Sequence, residues 1–366
     1  MPPTDLDRQL KSLYAAMTVQ HLTPLWRIEH RLMPLAPQPA TKAWLWKWHD
    51  LHRLAEQAGA LVPIERGGDR RAIALSNPGL GGLPYATPTL WTAIQWLNGG
   101  EIAPAHRHTS QAIRFIIDGA GSYSTVEGDK VYLERGDLVL TPQWLWHDHG
   151  SESSDRAIWL DGLDIPLTNF LDASFFESHP AAQQAVEATL NGTVLKYGQG
   201  NFRPAWEPRH IEHPPMFAYK WAETERALEN VARVDASPFD DVVLEYVNPQ
   251  TGGPVMHTFT CHMQMLRAGI HTRAHRHASS SVYFCFEGDG STVINGVEFS
   301  WSTGDSFVIP TWAVHEHRNA SRTDRALLFS LHDSPLMKAV HKYRELSVDD
   351  HDGHQVVTGR FEPVVS

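Results

Sequence analysis

Cysteine is almost absent from this chain: Cys261 and Cys285 are the only two in 366 residues. That rules out a disulfide framework and points to a reducing compartment. Long apolar runs are missing as well, since none approaches the roughly 20 residues needed to span a bilayer. Nothing near the N-terminus resembles a charged segment followed by an apolar one, so a cytoplasmic location without a membrane is expected. No Lys/Arg run offsets the acidic excess, and the formal net charge is -11 with a pI near 6.0. General affinity for nucleic acid or anionic lipid is therefore not expected, and a small-molecule partner is.

The length suffices for two cores of ordinary size plus an N-terminal extension. The 13 Trp, 9 Tyr and 14 Phe suit apolar walls and oligomer interfaces. Apolar residues recur at helical spacing from Asp5 to Met17 and from Thr41 to Gly59, which predicts two helices, the second capped by Thr41 and stopped by Gly59. Between Pro63 and Pro88 the chain is rich in Gly and Pro and reads as a loop able to fold over a site. From Thr89 onward, short β-branched and aromatic runs alternate with Gly, Asp and Asn turns, which predicts an antiparallel barrel or jelly roll.

The same order returns after Val242. His106-Arg107-His108 with His147-Asp148-His149 is repeated as His275-Arg276-His277 with His315-Glu316-His317, and Gly136-Asp137 is repeated as Gly304-Asp305. His275 follows His106 by 169 residues and His315 follows His147 by 168, the mark of a duplicated unit. Gln95 and Gln264 also fall at equal offset. The expected division is an extension over 1–84, barrels over 85–181 and 242–345, a connector over 182–241 without counterpart in the repeat, and a tail over 346–366 that is mobile or exchanged.

Residues i and i+2 of a strand share a face, so His106 and His108 would point together into a barrel. His147 on a neighbouring strand would complete three imidazoles around an ion with open positions left over. His149, two residues on, is either a fourth ligand or a hydrogen-bonding base beside the metal. His275, His277 and His315 would form a possible second metal site.

The strings Gly100-x5-His106-x-His108…Gly119 and Gly136-x5-Pro142…His147 resemble the two cupin motifs, and their recurrence makes the chain similar to a bicupin. Asn77-Pro78-Gly79-Leu80-Gly81-Gly82, Gln111-Ala112-Ile113-Arg114-Phe115, Leu160-Asp161-Gly162-Leu163-Asp164-Ile165-Pro166 and Tyr246-Val247-Asn248-Pro249 resemble the gentisate 1,2-dioxygenase family. That family includes salicylate and 1-hydroxy-2-naphthoate dioxygenases. The resemblance implies a mainly β bicupin with two double-stranded β-helix barrels and an N-terminal helical extension. It also implies a homo-oligomer, a tetramer, acting in aromatic catabolism.

Many cupins carry a ligating Glu four or five residues after the H-x-H, but here Ala112 and Ile113 stand there, with Ser281 and Val282 in the second copy. Three neutral histidines leave the ion's charge uncompensated, and an acid chelating through carboxylate and ortho hydroxyl would supply it. Fe(II) is the expected cofactor, because zinc fits such ligands but cannot activate O2. The resemblance further implies that Arg114 and Arg70 grip the substrate carboxylate, and that Gln95 and His149 hydrogen-bond its oxygens. Asp161 would approach the far side of the ring or orient His149, and Trp91 or Trp96 would line the pocket. The implied reaction is extradiol-like: with O2 and help from His149 at the phenol, gentisate is cut between its carboxyl- and hydroxyl-bearing carbons to give maleylpyruvate. Salicylate, a substituted salicylate or 1-hydroxy-2-naphthoate are alternative substrates. A manganese bicupin decarboxylase or isomerase and a non-catalytic bicupin are the rival classes. Tyr283 and Ser330 replace Arg114 and Asp161 in the second copy, which assigns substrate to the first barrel. Many relatives have lost the second histidine set that this chain keeps.

Overall fold

The computed structural model describes residues 4–200, 202–208 and 212–363, leaving aside the side chain of Asp69. It separates into a small unit, Met1–Pro39, and a large one, Ala40–Ser366. In the small unit the helix Asp5–Val19 starts from a capping box, in which Thr4 accepts from the Asp7 backbone N–H and Asp7 accepts from that of Thr4. None of that helix's residues is buried.

The large unit is mainly β, with two barrels, each made of a back sheet and a histidine-bearing sheet. The first back sheet runs in the order Ala218–Tyr219, Leu138–Thr141, Ala112–Asp118, Ala157–Leu163, Trp91–Leu97, Ala72–Ala74. The second runs Trp44–Trp46, Ser306–Ile309, Ser281–Glu287, Ala326–His332, Thr260–Leu266, Val242–Glu245, which is the same order strand for strand. Strand alternation sends Ile94, Ile113, Phe115, Ile158 and Leu160 out of the first barrel and into a core shared with Cys261, Met263, Val282, Phe284 and Phe329 of the second. Phe115 stacks on Phe329 with centroids 4.0 Å apart. Burial of each such ring contributes about 1.5–3 kcal/mol, so the barrels are held back to back by this seam. The other faces of the strands line the barrel lumens, where Leu97, Ile116, Val139 and Trp159 fill one and Leu266, Cys285, Phe307 and Leu328 the other.

The sequence-based expectations need three adjustments. Thr41 is not a helix cap: Trp44–Trp46 is a strand paired with Ser306–Ile309, and the helix begins only at Trp48 and runs through Gly59 to Leu61. Propensity yields here because the second barrel's sheet needs an edge partner. The connector does have a counterpart in the repeat, since Ala218–Tyr219 followed by the helix Trp221–Ala232 does for the first barrel what Trp44–Trp46 and Trp48–Leu61 do for the second. Lys220 and the Trp221 backbone N–H bind Asp137, as Lys47 and the Trp48 backbone N–H bind Asp305. Gly136 (φ 90°) and Gly304 (φ 91°) leave room for the indoles, where a Cβ would come within 2.7 and 2.3 Å of them. Finally, the C-terminal arm lies on the second barrel: Gly359–Arg360 pairs in parallel with Val297–Trp301, and Phe361 stacks on Phe299.

Candidate metal centre and acid-binding wall

His106 and His108 lie on the strand Ile102–His108, and His147 begins the neighbouring strand His147–Ser151, with His106 and His147 directly opposite in register. One nitrogen from each of the three falls within 4.8 Å of the other two. Each ring is fixed by its own backbone: the Nδ1 atoms of His106, His108 and His147 meet the carbonyls of Pro104, Ser110 and Leu145 at 2.7, 2.7 and 2.9 Å. Donation from Nδ1 leaves each Nε2 with a free lone pair, the tautomer a metal requires. The fully buried His147 Nε2 has no hydrogen-bond partner. A buried acceptor left unsatisfied is costly, and a cation on that lone pair removes the penalty. Burial, reinforced by neighbouring positive charge, lowers the pKa of His106 and His108 to about 4 and that of His147 well below the usual range, so all three are neutral at pH 7.

His149 lies deeper. Its Nδ1 is 2.6 Å from Ser124 Oγ, while its Nε2 is buried and unpartnered. Of the two expectations for Asp161, orienting His149 falls instead to this serine. Asp161 instead faces Arg114 on the adjacent strand at 3.2 Å, both side chains being buried. Burial pushes the Asp161 carboxyl up to about 6, while Arg114 pulls it back down. Burial also lowers the Arg114 pKa, and Asp161 opposes the change. The guanidinium depresses the basicity of His106, His108, His147 and His149 alike, which places its charge beside the whole cluster.

Gln95 is buried on the strand Trp91–Leu97, opposite Trp159, and Trp91 shares its strand face at the half-buried end. Trp96 points the other way into the shared core. Arg70 lies over the ring of Phe176 at 4.5 Å, and that ring stacks on His106. Arg71 is buried and structural, held by the Gly59 and Gly68 carbonyls and Glu101.

The cupin domain model matches residues 93–163 and 262–332. A 5-aminosalicylate 1,2-dioxygenase from Comamonas sp is 38% identical over 98% of this chain and 96% of its own length. A gentisate 1,2-dioxygenase from Streptomyces sp is 40% identical over 90% of this chain and 93% of its own. The crystal structure of salicylate 1,2-dioxygenase from Pseudoaminobacter salicylatoxidans, with gentisate adducts, superposes with a TM-score of 0.88. It is 36% identical and covers 94% of this chain and 95% of that one.

The chain belongs to the gentisate dioxygenase family. It is accordingly a bicupin ring-cleaving dioxygenase. Among its described residues no helix is long and apolar enough to cross a membrane.

In this gentisate dioxygenase relative the second barrel repeats the triad, with His275, His277 and His315 brought together as closely. Its surroundings differ. Tyr283 and Ser330 occupy the register of Arg114 and Asp161, and Ser330 and Ser281 bind the two nitrogens of His332. Burial is the main cause of the lowered pKa of His275, His277 and His315, and no arginine charge is among the causes. Sequence reasoning missed Ser124, Phe176 and this serine–histidine chain. A signal for Ser124 existed: Ser124 precedes His149 by 25 residues, and Thr292, which bonds His317 at 2.9 Å, precedes it by the same 25.

Proposed function

We propose that the first barrel is an Fe(II)-dependent gentisate 1,2-dioxygenase centre, with iron on His106, His108 and His147 and maleylpyruvate as product. The observation that carries this reading is Arg114, a buried guanidinium paired with Asp161 whose charge reaches all four histidines of the cluster. Neutral ligands, a dication and Arg114 together make a positive site that fits an aromatic carboxylate. Fe(II), when bound, would supply chelation for the carboxylate and ortho hydroxyl and the redox chemistry that O2 requires.

The chain's own residues would do the rest. Arg114 binds the carboxylate and is itself held in place by Asp161. Arg70, stacked on Phe176 at the rim, adds a second positive charge toward the same group. Gln95 and Trp91 border the ring from the wall. With Nδ1–H donated to Ser124, His149 keeps its Nε2 lone pair for the phenolic proton, and its buried, neutral state suits that task. Proton removal from the hydroxyl raises electron density in the ring, and the bond between the carboxyl- and hydroxyl-bearing carbons is the one opened.

A 5-substituted salicylate is the second reading, favoured by the 5-aminosalicylate 1,2-dioxygenase that matches 98% of this chain. The test is anaerobic loading with Fe(II), then O2 uptake with gentisate, salicylate, 5-aminosalicylate and 1-hydroxy-2-naphthoate. Gentisate should give the highest kcat/KM and zinc-loaded protein no uptake. Absence of O2 uptake with every acid in folded, iron-loaded protein would overturn the proposal.

A further inference from the structure

A third group of metal-type ligands lies outside both barrel lumens. His271, Glu316 and His354 bring one ligand atom each within 4.8 Å of the others. Glu316 sits on the strand His315–Arg318 and points away from the lumen that His315 and His317 face. Its carboxylate is 1% exposed, a costly place for a charge without strong partners. The Gln355 backbone N–H approaches it at 3.1 Å, and the two imidazoles complete its surroundings. His271 Nε2 stands 3.4 Å from Oε1 and His354 Nδ1 stands 3.7 Å from Oε2, too long for good hydrogen bonds. His354 Nδ1 is itself buried without a hydrogen-bond partner. Those separations are close to the roughly 3.3 Å between ligand atoms of a tetrahedral ion with bonds of about 2.0–2.1 Å. The rings lie face to face, 4.1 Å between centroids.

The first barrel shows what the same position looks like without such a group. Asp148 replaces Glu316, and Gln184 donates to its Oδ2 with backbone and side-chain N–H at 2.9 and 3.1 Å. Ile102 stands at the register of His271, and Gln183 precedes Gln184 where His354 precedes Gln355. Both histidines and the longer carboxylate thus belong to the second barrel alone. The chain also takes an unfavourable path to present His354: His351, Asp352 and Gly353 all have left-handed φ, 52°, 59° and 85°.

We propose that His271, Glu316 and His354 form a surface Zn2+ site that clips the C-terminal arm to the second barrel. Two imidazoles and a carboxylate, with solvent as the fourth ligand, suit zinc at the half-exposed rim. The arm that follows His354 runs along Val297–Trp301, so metal binding would hold its start while strand pairing and Phe361 hold its end.

The test is calorimetric titration of metal-free full-length protein with Zn2+, alongside thermal melting. A His106→Ala/His275→Ala protein, with both interior triads broken, should still bind one Zn2+. Adding His354→Ala to it should weaken that equivalent by at least about tenfold, the smallest loss expected even for groups that only orient a ligand. In the otherwise wild-type protein, His271→Ala should remove one Zn2+ equivalent and abolish part of the zinc-induced rise in Tm, with O2 uptake unchanged. Equal zinc stoichiometry and affinity with and without His271 and His354 would overturn the proposal. Because neither residue serves the first barrel, failure here leaves the dioxygenase reading standing, and the reverse holds too.

Discussion

Arg114 and Asp161 face each other across adjacent strands of the first back sheet, 3.2 Å apart and both buried, while Tyr283 and Ser330 hold the same register in the second. One barrel therefore carries a buried arginine–carboxylate pair in its wall and the other does not, although both carry three convergent histidines. Asp161 is the counter-ion of the guanidinium, and under the proposed function a substrate carboxylate would compete for it. Truncating Arg114 removes a charge-assisted bond worth about 1.5–3 kcal/mol, so Arg114→Ala should lower kcat/KM by at least about tenfold. Steady-state kinetics on folded, iron-loaded protein check this, and unchanged values would move the acid elsewhere.

His106→Ala should cost the first barrel its metal and nearly all turnover. Iron analysis and O2 consumption measured on one preparation decide it, because wild-type uptake by the variant would exclude this triad.

Ser124→Ala leaves His149 without the partner of its Nδ1. The expected result is lower kcat with little change in KM, since the serine orients a base and does not touch the acid; Ser124→Thr should recover part of the loss. An effect confined to KM would argue that His149 binds substrate without moving its proton.

The second barrel should bind metal while adding little turnover. A His275→Ala/His277→Ala protein is expected to lose one interior metal ion and keep most of its activity. If activity vanished in folded protein, the two barrels would have to work as one site.

Stability of the metal-free protein should fall as pH drops from 6.5 toward about 4. In that interval the unfolded chain binds protons at His106, His108, His262 and His275, whose folded pKa values burial lowers to about 4, so acid favours unfolding. Melting curves of chelator-treated protein at pH 7.5, 6 and 5 test the sign; a Tm that rose on acidification would contradict it.

The duplicated H-x-H pairs, the matched turns and the lone Arg114 were legible in the sequence because a two-residue period fixes a strand's faces and a repeat fixes register. The fold class and the convergence of His106, His108 and His147 followed from those local rules. Three things did not, since each depends on segments far apart in the chain. Trp44–Trp46 reads as helix until a distant barrel edge, Ser306–Ile309, claims it as a strand. Ser124 becomes the partner of His149 only because their strands pair. His271, Glu316 and His354 meet only where the C-terminal arm returns to the second barrel. Side-chain alternation is a property of the sequence, whereas the choice of which strand lies beside which is made by burial of the shared core.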